Sequence, residues 1–315
     1  MSTPWIEVQD LHVRRGGRPV LMGISAALHG RAVGLVGANG AGKSTFIGAL
    51  LGILAPEKGR VTVLGLEQPT NALAIRTRAG VMAEQAGIFP GGSGVDAVVF
   101  AGMLSGLERK EALRRAHRAL DALDVGEERY RPTAEYSTGM RQRCKMAMSL
   151  VHDPEILILD EPTVGLDPPG RTQLLELIRG LRDEGRRILI STHILADAEF
   201  LCDEMLLLDA GTVAFSGPVA AMLQGREERF LASGDGLDAA LAERLTAAGV
   251  PARIDEAGRL VLSATSAEAL HRFWSIAAES RAAIRRLDRE APTLEEALLA
   301  RIGANGARRA GGATS

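Results

Sequence analysis

A glycine-rich segment at residues 37–45 constrains this chain more than any other feature and reads Gly-Ala-Asn-Gly-Ala-Gly-Lys-Ser-Thr. It follows the apolar run 32–36, which predicts a strand, and precedes the run 46–54, which predicts a helix. Glycines at such a junction let consecutive backbone N–H groups face phosphate oxygens, and the helix N-terminus adds its positive end. The strand–turn–helix context matches the P-loop pattern and predicts a nucleoside triphosphate site.

Two side chains of this P-loop have distinct expected roles. Lys43 is expected to reach the β- and γ-phosphates and to assist catalysis, and Ser44 is expected to ligate Mg²⁺. A chance match to a glycine-rich turn is the alternative, and the flanking strand and helix weigh against it. The residues expected to contact nucleotide are Gly37, Ala38, Asn39, Gly40, Ala41, Gly42, Lys43, Ser44 and Thr45.

An acidic pair ends a second apolar run. Residues 156–160 read Ile-Leu-Ile-Leu-Asp, and Glu161 and Pro162 follow. Ligands of open α/β sheets bind at the carboxyl ends of strands, so carboxylates at this position predict a functional site. Asp160 is expected to hold Mg²⁺ through its water shell, and Glu161 to polarise the water that attacks the γ-phosphate. A solvated acidic turn is the alternative, which the P-loop makes less favourable.

Short apolar runs alternate with helical patterns over much of the chain, and this interleaving predicts a largely parallel α/β sheet. Residues 94–150 show helical periodicity alone and predict an all-helical insertion. The predicted strands, which all lie outside this insertion, are 6–11, 32–36, 61–64, 156–160, 188–191 and 205–208.

A chain of 315 residues is long for one compact core, so two domains are expected. We predict an ATPase domain at 1–224, a small α+β accessory domain at 225–302, and a disordered tail rich in Gly, Ala and Arg at 303–315. The predicted elements of the accessory domain are strands 229–233, 252–255, 259–263 and 282–288 and helices 237–248, 266–278 and 293–302.

Composition narrows the cellular setting. The net charge of −2 provides no whole-protein field that would gather nucleic acid or an acidic membrane surface. The two cysteines, Cys144 and Cys202, predict reduced thiols in the cytoplasm rather than a disulfide framework. No run approaches the ~20 apolar residues that cross a bilayer, so the chain is not expected to enter or span a membrane.

A third motif, Tyr-Ser-Thr-Gly-Met-Arg-Gln-Arg at residues 136–143, closes the predicted helical insertion. Here the chain resembles the ATP-binding cassette (ABC) superfamily, whose signature Leu-Ser-Gly-Gly-Gln stands at this place. Ser137 and Gly139 match, and the other positions resemble cassettes of type-2 exporters. From the residues alone, a predicted helix N-terminus at Ser137 can bind an anion or simply cap the helix. The resemblance implies that both residues contact the γ-phosphate of ATP held by a second cassette in a head-to-tail dimer.

The resemblance extends in order over residues 5–224. Gly-Leu-Asp at 165–167 resembles the D-loop that crosses the dimer interface, which implies an interface role for Asp167. Ser-Thr-His at 191–193 resembles the switch segment, which implies that His193 contacts the γ-phosphate. A lone histidine is more often structural, but its place at the end of a predicted core strand favours the functional interpretation.

Two positions depart from the family pattern. The aromatic residue that usually stacks on adenine is expected near residue 15, where this chain has Arg15. A guanidinium plane can stack on a base, but Arg15 can equally be solvated while adenine rests on Val20 or on nothing. The glutamine of the Q-loop falls on Glu84, with Gln85 next to it, and either residue can sense Mg²⁺ and the partner contact.

Together these features predict an α/β P-loop ABC ATPase core with an antiparallel β edge and a helical insertion, plus a small C-terminal α+β domain. The resemblance implies hydrolysis of ATP with Mg²⁺ by a subunit on the cytoplasmic face of the membrane. The implied partners are an integral membrane permease, which docks against residues 78–90 and the insertion, and a second copy or a paralogous cassette. No nucleic acid partner is expected. Export is favoured over import, and the cargo is not encoded in these motifs.

Two rival functions are less well matched. A soluble ABC ATPase that acts on ribosomes or DNA is the alternative. Ribosome-directed relatives usually carry two cassettes in one chain, and DNA-repair relatives separate P-loop and signature by long coiled coils. Here 96 residues separate Lys43 from Gly139. A P-loop kinase gives no reason for the segment around Ser137 or for His193.

Overall fold

The computed structural model describes residues 3–85, 87–88, 91–223, 229–255, 257–263, 266–290 and 294–295. The chain divides into two compact units, residues 1–219 and 220–315. The predicted domain boundary at 224/225 and the predicted tail at 303–315 lie outside the described residues, as does most of the predicted helix 293–302. The division into an ATPase domain and an accessory domain stays a prediction.

The described residues form fourteen strands and ten α-helices. The strands are β1 (Ile6–Arg15), β2 (Arg18–Leu28), β3 (Ala32–Val36), β4 (Lys58–Val63), β5 (Leu66–Glu67), β6 (Ala79–Met82), β7 (Ile156–Asp160), β8 (Arg187–Thr192), β9 (Glu204–Asp209), β10 (Thr212–Pro218), β11 (Arg229–Asp235), β12 (Ala252–Ile254), β13 (Leu260–Ser263) and β14 (Ala283–Glu290). The helices are α1 (Lys43–Leu50), α2 (Ala72–Thr77), α3 (Gly94–Leu104), α4 (Arg109–Ala122), α5 (Thr138–Leu150), α6 (Pro168–Asp183), α7 (Leu195–Leu201), α8 (Val219–Leu223), α9 (Ala239–Ala247) and α10 (Ala267–Glu279).

A six-stranded sheet in the order β10-β9-β3-β8-β7-β6 forms the centre of the first unit. Its strands pair in parallel except for β10, which pairs antiparallel to β9. Every residue of β3 and β7 is buried, as expected for strands covered on both faces, and both strands have the predicted bounds. The register aligns Asp160 with Ser191 and Val36 with Thr192, so the segments that follow these strands leave the sheet at the same edge. The predicted parallel α/β core is confirmed.

A separate antiparallel sheet in the order β2-β1-β4-β5 provides the predicted antiparallel edge. Strand β1 alternates buried residues such as Ile6 and Val8 with more exposed ones, which gives the period of two that predicts a strand. Strand β2 was not predicted. Its buried residues Leu21, Ile24 and Leu28 are spaced by three and four positions, which is the spacing of a helix face.

The helical insertion at 94–150 is confirmed as helices α3, α4 and α5, with two short 3₁₀ turns and no strand inside this fully described range. Ser93 and Asp96 form a capping box that starts α3, because the Ser93 hydroxyl accepts from the Asp96 N–H while the Asp96 carboxylate accepts from the Ser93 N–H at 2.9 Å. Ser137 caps α5 through one such bond, because its hydroxyl accepts from the Met140 N–H at 3.2 Å. Local capping chemistry therefore sets where two of the three helices begin.

In the second unit, the described residues between 229 and 290 form a four-stranded antiparallel sheet in the order β12-β13-β11-β14 with two helices, α9 and α10. Along the chain the elements run β-α-β-β-α-β, the arrangement of a split βαβ unit. Leu241, Leu245, Leu260, Leu262 and Phe273 lie in its core. Each of the four strands and two helices predicted before residue 290 overlaps an observed element.

Both cysteines are free and buried. Burial raises the pKa of the Cys144 thiol to about 12, and burial also raises the pKa of the Cys202 thiol. The prediction that the chain carries reduced thiols is confirmed. In the described part of the chain, no helix is both long and apolar enough to cross a membrane.

The separate cores generate a prediction about the chain's C-terminal third. The described core of the first unit draws on residues from Trp5 to Val213, whereas the core of the second unit draws on residues from Phe230 onward. A chain that ends at residue 224 is therefore expected to fold and to bind ATP with an unchanged Kd, as measured by circular dichroism melting and titration of a fluorescent ATP analogue. An insoluble product, or one that binds no nucleotide, would contradict the predicted division.

Candidate nucleotide-binding and catalytic site

The P-loop connects β3 to α1 and depends on glycine at three positions. Gly40 and Gly42 have φ values of 83° and 107°, a left-handed backbone that favours glycine. At Gly37 a Cβ atom would lie 2.6 Å from the Leu208 carbonyl oxygen. The Lys43 ammonium donates to the Gly37 carbonyl at 2.7 Å, and its side chain is 7% exposed. The loop therefore holds a buried cation at its centre.

Asp160 lies beside the P-loop although it is 116 positions from Ser44 in the sequence. The Ser44 hydroxyl donates to Asp160 Oδ2 at 3.1 Å, and the Ser191 hydroxyl donates to Asp160 Oδ1. A hydroxyl and a carboxylate are hard oxygen ligands of the kind that Mg²⁺ prefers. Among the described residues no three His, Cys, Asp or Glu side chains gather as a metal site.

Glu161 combines deep burial with an unusual backbone. Its φ is 51°, a left-handed value that is uncommon for a residue with a side chain, and its N–H donates to the Ser191 carbonyl at 3.1 Å. Its Oε2 lies 2.9 Å from His193 Nδ1. Its Oε1 lies 3.2 Å from Lys43 Nζ but makes no hydrogen bond, because the angle rather than the distance is unsuitable. The carboxylate thus lies between a cation and an imidazole.

A cavity of about 460 Å³ opens over the P-loop and includes residues from distant parts of the chain. Arg15 and Val20, the two candidates for the adenine contact, both line it. Glu84 lines it as well, whereas Gln85 does not belong to its lining. The lining residues are Arg15, Val20, Ala38, Asn39, Gly40, Gly42, Lys43, Ser44, Thr45, Glu84, Asp160 and Glu161.

The signature residues are not part of this cavity. Ser137 and Gly139 line a different cavity of about 270 Å³, together with Leu166. A Cβ atom on Gly139 would meet nothing nearer than Leu166 at 3.8 Å, so the fold of this chain does not itself require glycine there. Asp167 is the N-cap residue of α6, and its carboxylate makes no capping hydrogen bond. These three predicted site residues are thus not brought to the P-loop of their own chain.

The motifs did not reveal one buried carboxylate near the site. Asp197 on α7 is completely buried and accepts from the Thr163 hydroxyl at 2.7 Å and from Arg171 Nε at 2.6 Å. It ties the loop after Glu161 to helices α6 and α7, and a buried charge needs such partners. In the sequence Asp197 is an acidic residue between two alanines, a pattern too common to identify a network.

Comparison with known proteins gives a consistent result. A family model described as ABC transporter matches residues 21–164. The linearmycin resistance ATP-binding protein LnrL of Bacillus subtilis (strain 168) is 31% identical over 213 residues, which cover 67% of this chain and 68% of that protein. The Nod factor export ATP-binding protein I of Ralstonia nicotianae is 36% identical over 211 residues, which cover 67% of this chain and 66% of that protein.

A solved structure described as an ATP-binding subunit of an ABC transporter shares the fold of this chain. The two are 30% identical with a TM-score of 0.61, and the match covers 69% of this chain and 91% of the other. In all three comparisons, the two relatives and the solved structure, the match covers about two thirds of this chain.

The position of Arg15 generates a prediction about adenine binding. Stacking on a base contributes ~1–3 kcal/mol, so Arg15→Ala is expected to raise the Kd for ATP by about fivefold or more, and Arg15→Tyr to preserve binding. Arg14→Ala is the control for lost charge, because the Arg14 guanidinium is held by Glu57 and Gly17. A fluorescent-nucleotide titration measures both. An unchanged Kd for Arg15→Ala would favour a solvated arginine and an adenine contact through Val20.

Proposed function

This chain belongs to the ABC transporter family of ATPases, and on that basis we propose that it is the ATP-hydrolysing subunit of a membrane exporter. One observation carries the proposal: Lys43, Asp160 and Glu161 meet in the cavity over the P-loop, each of them buried. The direction of transport is supported by the relatives, one named for linearmycin resistance and one for Nod factor export. Those substrates belong to the relatives, and the cargo of this chain is a property of its permease.

The residues present fit MgATP. Ser44 and Asp160 would hold the ion, with Glu84 in the lining of the same cavity as a third candidate ligand. An ion held there by Ser44 and Asp160 would supply positive charge to offset the negative charge that develops during phosphoryl transfer. The Lys43 ammonium and the N–H groups at the start of α1 supply the remaining positive charge. Hydroxyl, carboxylate and ammonium groups thus surround the place where the triphosphate would lie.

Glu161 is the proposed general base. A base must be held in a fixed direction to accept a proton from the attacking water. His193 Nδ1 donates to Oε2 in the tautomer that carries its hydrogen there, and Lys43 attracts Oε1. When the triphosphate is bound, Lys43 and His193 both have a second anion to contact. Lys43 would then loosen from Oε1 and leave it free to accept a proton from water, while His193 can contact the anion through Nε2 and still hold Oε2 through Nδ1.

A second copy, or a paralogous cassette, would complete each site. Ser137 and Gly139 lie outside the cavity of their own P-loop, and no residue that the structure describes crowds a Cβ at Gly139. Close approach of another chain's nucleotide would explain both facts. The free carboxylate at the start of α6, that of Asp167, would lie in the same interface. Two ATP molecules would then be enclosed in a head-to-tail dimer.

The proposed permease contact lies on the helical insertion. Met103, Leu104 and Leu113 are 46%, 73% and 45% exposed, and an apolar surface of this kind suits the docking of a partner helix. The predicted docking segment 78–90 contributes here as well, although residues 86, 89 and 90 lie outside the described part. Such a subunit would sit on the cytoplasmic face of the membrane. A soluble ATPase would instead be stimulated by ribosomes or DNA.

The general-base assignment is tested with Glu161→Gln. This change keeps the shape of the side chain but removes the proton acceptor, so hydrolysis is expected to fall by about a hundredfold or more while ATP still binds. The variant should accumulate as an ATP-dependent dimer in size-exclusion chromatography with light scattering. Glu176→Gln, a change at an exposed glutamate on α6, is the matched control and should hydrolyse ATP normally. Normal hydrolysis by Glu161→Gln would refute the assignment.

The coupling role of Glu84 is tested in vesicles that contain the membrane protein that co-purifies with the chain. Because Glu84 lines the nucleotide cavity at the start of the helical insertion, Glu84→Ala is expected to abolish stimulation by the permease. Basal hydrolysis should fall by no more than about fivefold, or ~1 kcal/mol. Gln85→Ala is the control and should have little effect. If the permease still stimulates hydrolysis fully in Glu84→Ala but not in Gln85→Ala, the coupling role belongs to Gln85.

A further inference from the structure

Lys145 connects the signature helix to the loop that carries Glu84. It lies on α5, and its ammonium donates to the Glu84 backbone carbonyl at 3.0 Å. Strand β6 ends at Met82, so this carbonyl belongs to the segment that leaves the parallel sheet and enters the helical insertion. A single side chain therefore joins the core of the ATP site to the helix that begins at Ser137.

The surroundings of Lys145 favour this contact. Burial lowers the pKa of the Lys145 ammonium, and the Arg141 guanidinium lowers it further, whereas the charge of Glu84 raises it. A half-buried cation needs a hydrogen-bond acceptor, and the Glu84 carbonyl provides one. Because the acceptor is backbone, the contact fixes the position of the loop rather than the rotamer of the Glu84 side chain.

The same helix has a second tie to the catalytic loop. Gln142 Nε2 donates to the Val164 carbonyl at 3.2 Å, in the short segment between Glu161 and Asp167. Helix α5 thus contacts the segment before the insertion through Lys145 and the segment after Glu161 through Gln142. A helix is stiff along its axis, and the eight positions from Ser137 to Lys145 span about 12 Å. A displacement of the Glu84 loop would therefore be transmitted to Ser137.

We propose that Lys145 is a positioning residue that holds α5 against the Glu84 loop, so that the two parts of the nucleotide machinery on this chain move together. One part is the cavity that binds this chain's own ATP. The other is the Ser137 end of α5, which serves the ATP of a second copy. The inference rests on the proposed function. Lys145 does not line the nucleotide cavity, so it acts through α5 and not on the reacting atoms.

The test uses the full chain with three substitutions. Lys145→Met keeps the length and apolar stem but removes the donor, and Lys145→Arg restores a donor. Lys110→Met is the matched control, because Lys110 is an exposed lysine of the same helical insertion. Steady-state hydrolysis gives kcat and KM for each protein. Dimer formation against protein concentration, at saturating ATP, is measured in the Glu161→Gln background.

Lys145→Met is expected to lower kcat about tenfold, equivalent to ~1.4 kcal/mol, while KM stays within about twofold. KM is preserved because the P-loop that binds ATP is untouched, whereas the alignment of Ser137 for the second copy is lost. In the Glu161→Gln background at saturating ATP, Lys145→Met should require about tenfold more protein to dimerise. Lys145→Arg should recover kcat to within about threefold, and Lys110→Met should match the original chain.

Other results would overturn the inference. An unchanged kcat in Lys145→Met means that the tether does not position α5. A loss of thermal stability with equal changes in kcat and KM, and no recovery in Lys145→Arg, means that Lys145 is a general packing contact. Both results leave the ATPase assignment intact. That assignment fails separately, and the inference with it, if the original chain hydrolyses no ATP or if Lys43→Ala hydrolyses it equally fast.

Discussion

The parallel pairing of β3, β8 and β7 is the constraint on which the rest of this structure depends. Ser44, Asp160 and His193 come from three separate parts of the sequence, and they lie together because the strands that precede them run in one direction and in register. Side chains alternate between the faces of a strand, so a shift of one residue in β7 would turn the Asp160 carboxylate away from Ser44. Strands β3 and β7 are buried on both faces, so such a shift would disturb an entire apolar layer and would be costly.

The parts of the site that follow local rules were predictable from the sequence. Short-range patterns located these residues. The glycines that take a left-handed backbone marked the P-loop with Gly40 and Lys43, and an unbroken apolar run that ends in a carboxylate marked Asp160. The family resemblance, now supported by relatives above 30% identity, added Ser137 and His193. The structure adds that Ser137 lies outside the cavity of its own P-loop.

The parts that the sequence did not reveal depend on packing between distant segments. Strand β2 shows a helix-like spacing because a register shift in its pairing with β1 leaves Gly23 as an extra residue between the buried Leu21 and Ile24. Asp197 and Lys145 lie on helices that carry other polar residues as well, and such residues are usually solvated. Their partners, Arg171 and the Glu84 carbonyl, become neighbours only after the helices have packed on the sheet. In the second unit the hydrophobic pattern predicted the strands and helices, but no sequence motif indicates what the unit does.

The left-handed backbone of Glu161 has a consequence for how this protein can be stabilised. A residue with a side chain is disfavoured in that conformation by ~1 kcal/mol or more relative to glycine, and Asn tolerates it better than most others. Selection or design for heat resistance alone would therefore favour Gly or Asn at this position and would remove the carboxylate between Lys43 and His193. A thermostable variant obtained without an activity screen can therefore lack ATPase activity. In the turn after β7, the backbone that favours stability and the carboxylate that serves hydrolysis require different residues.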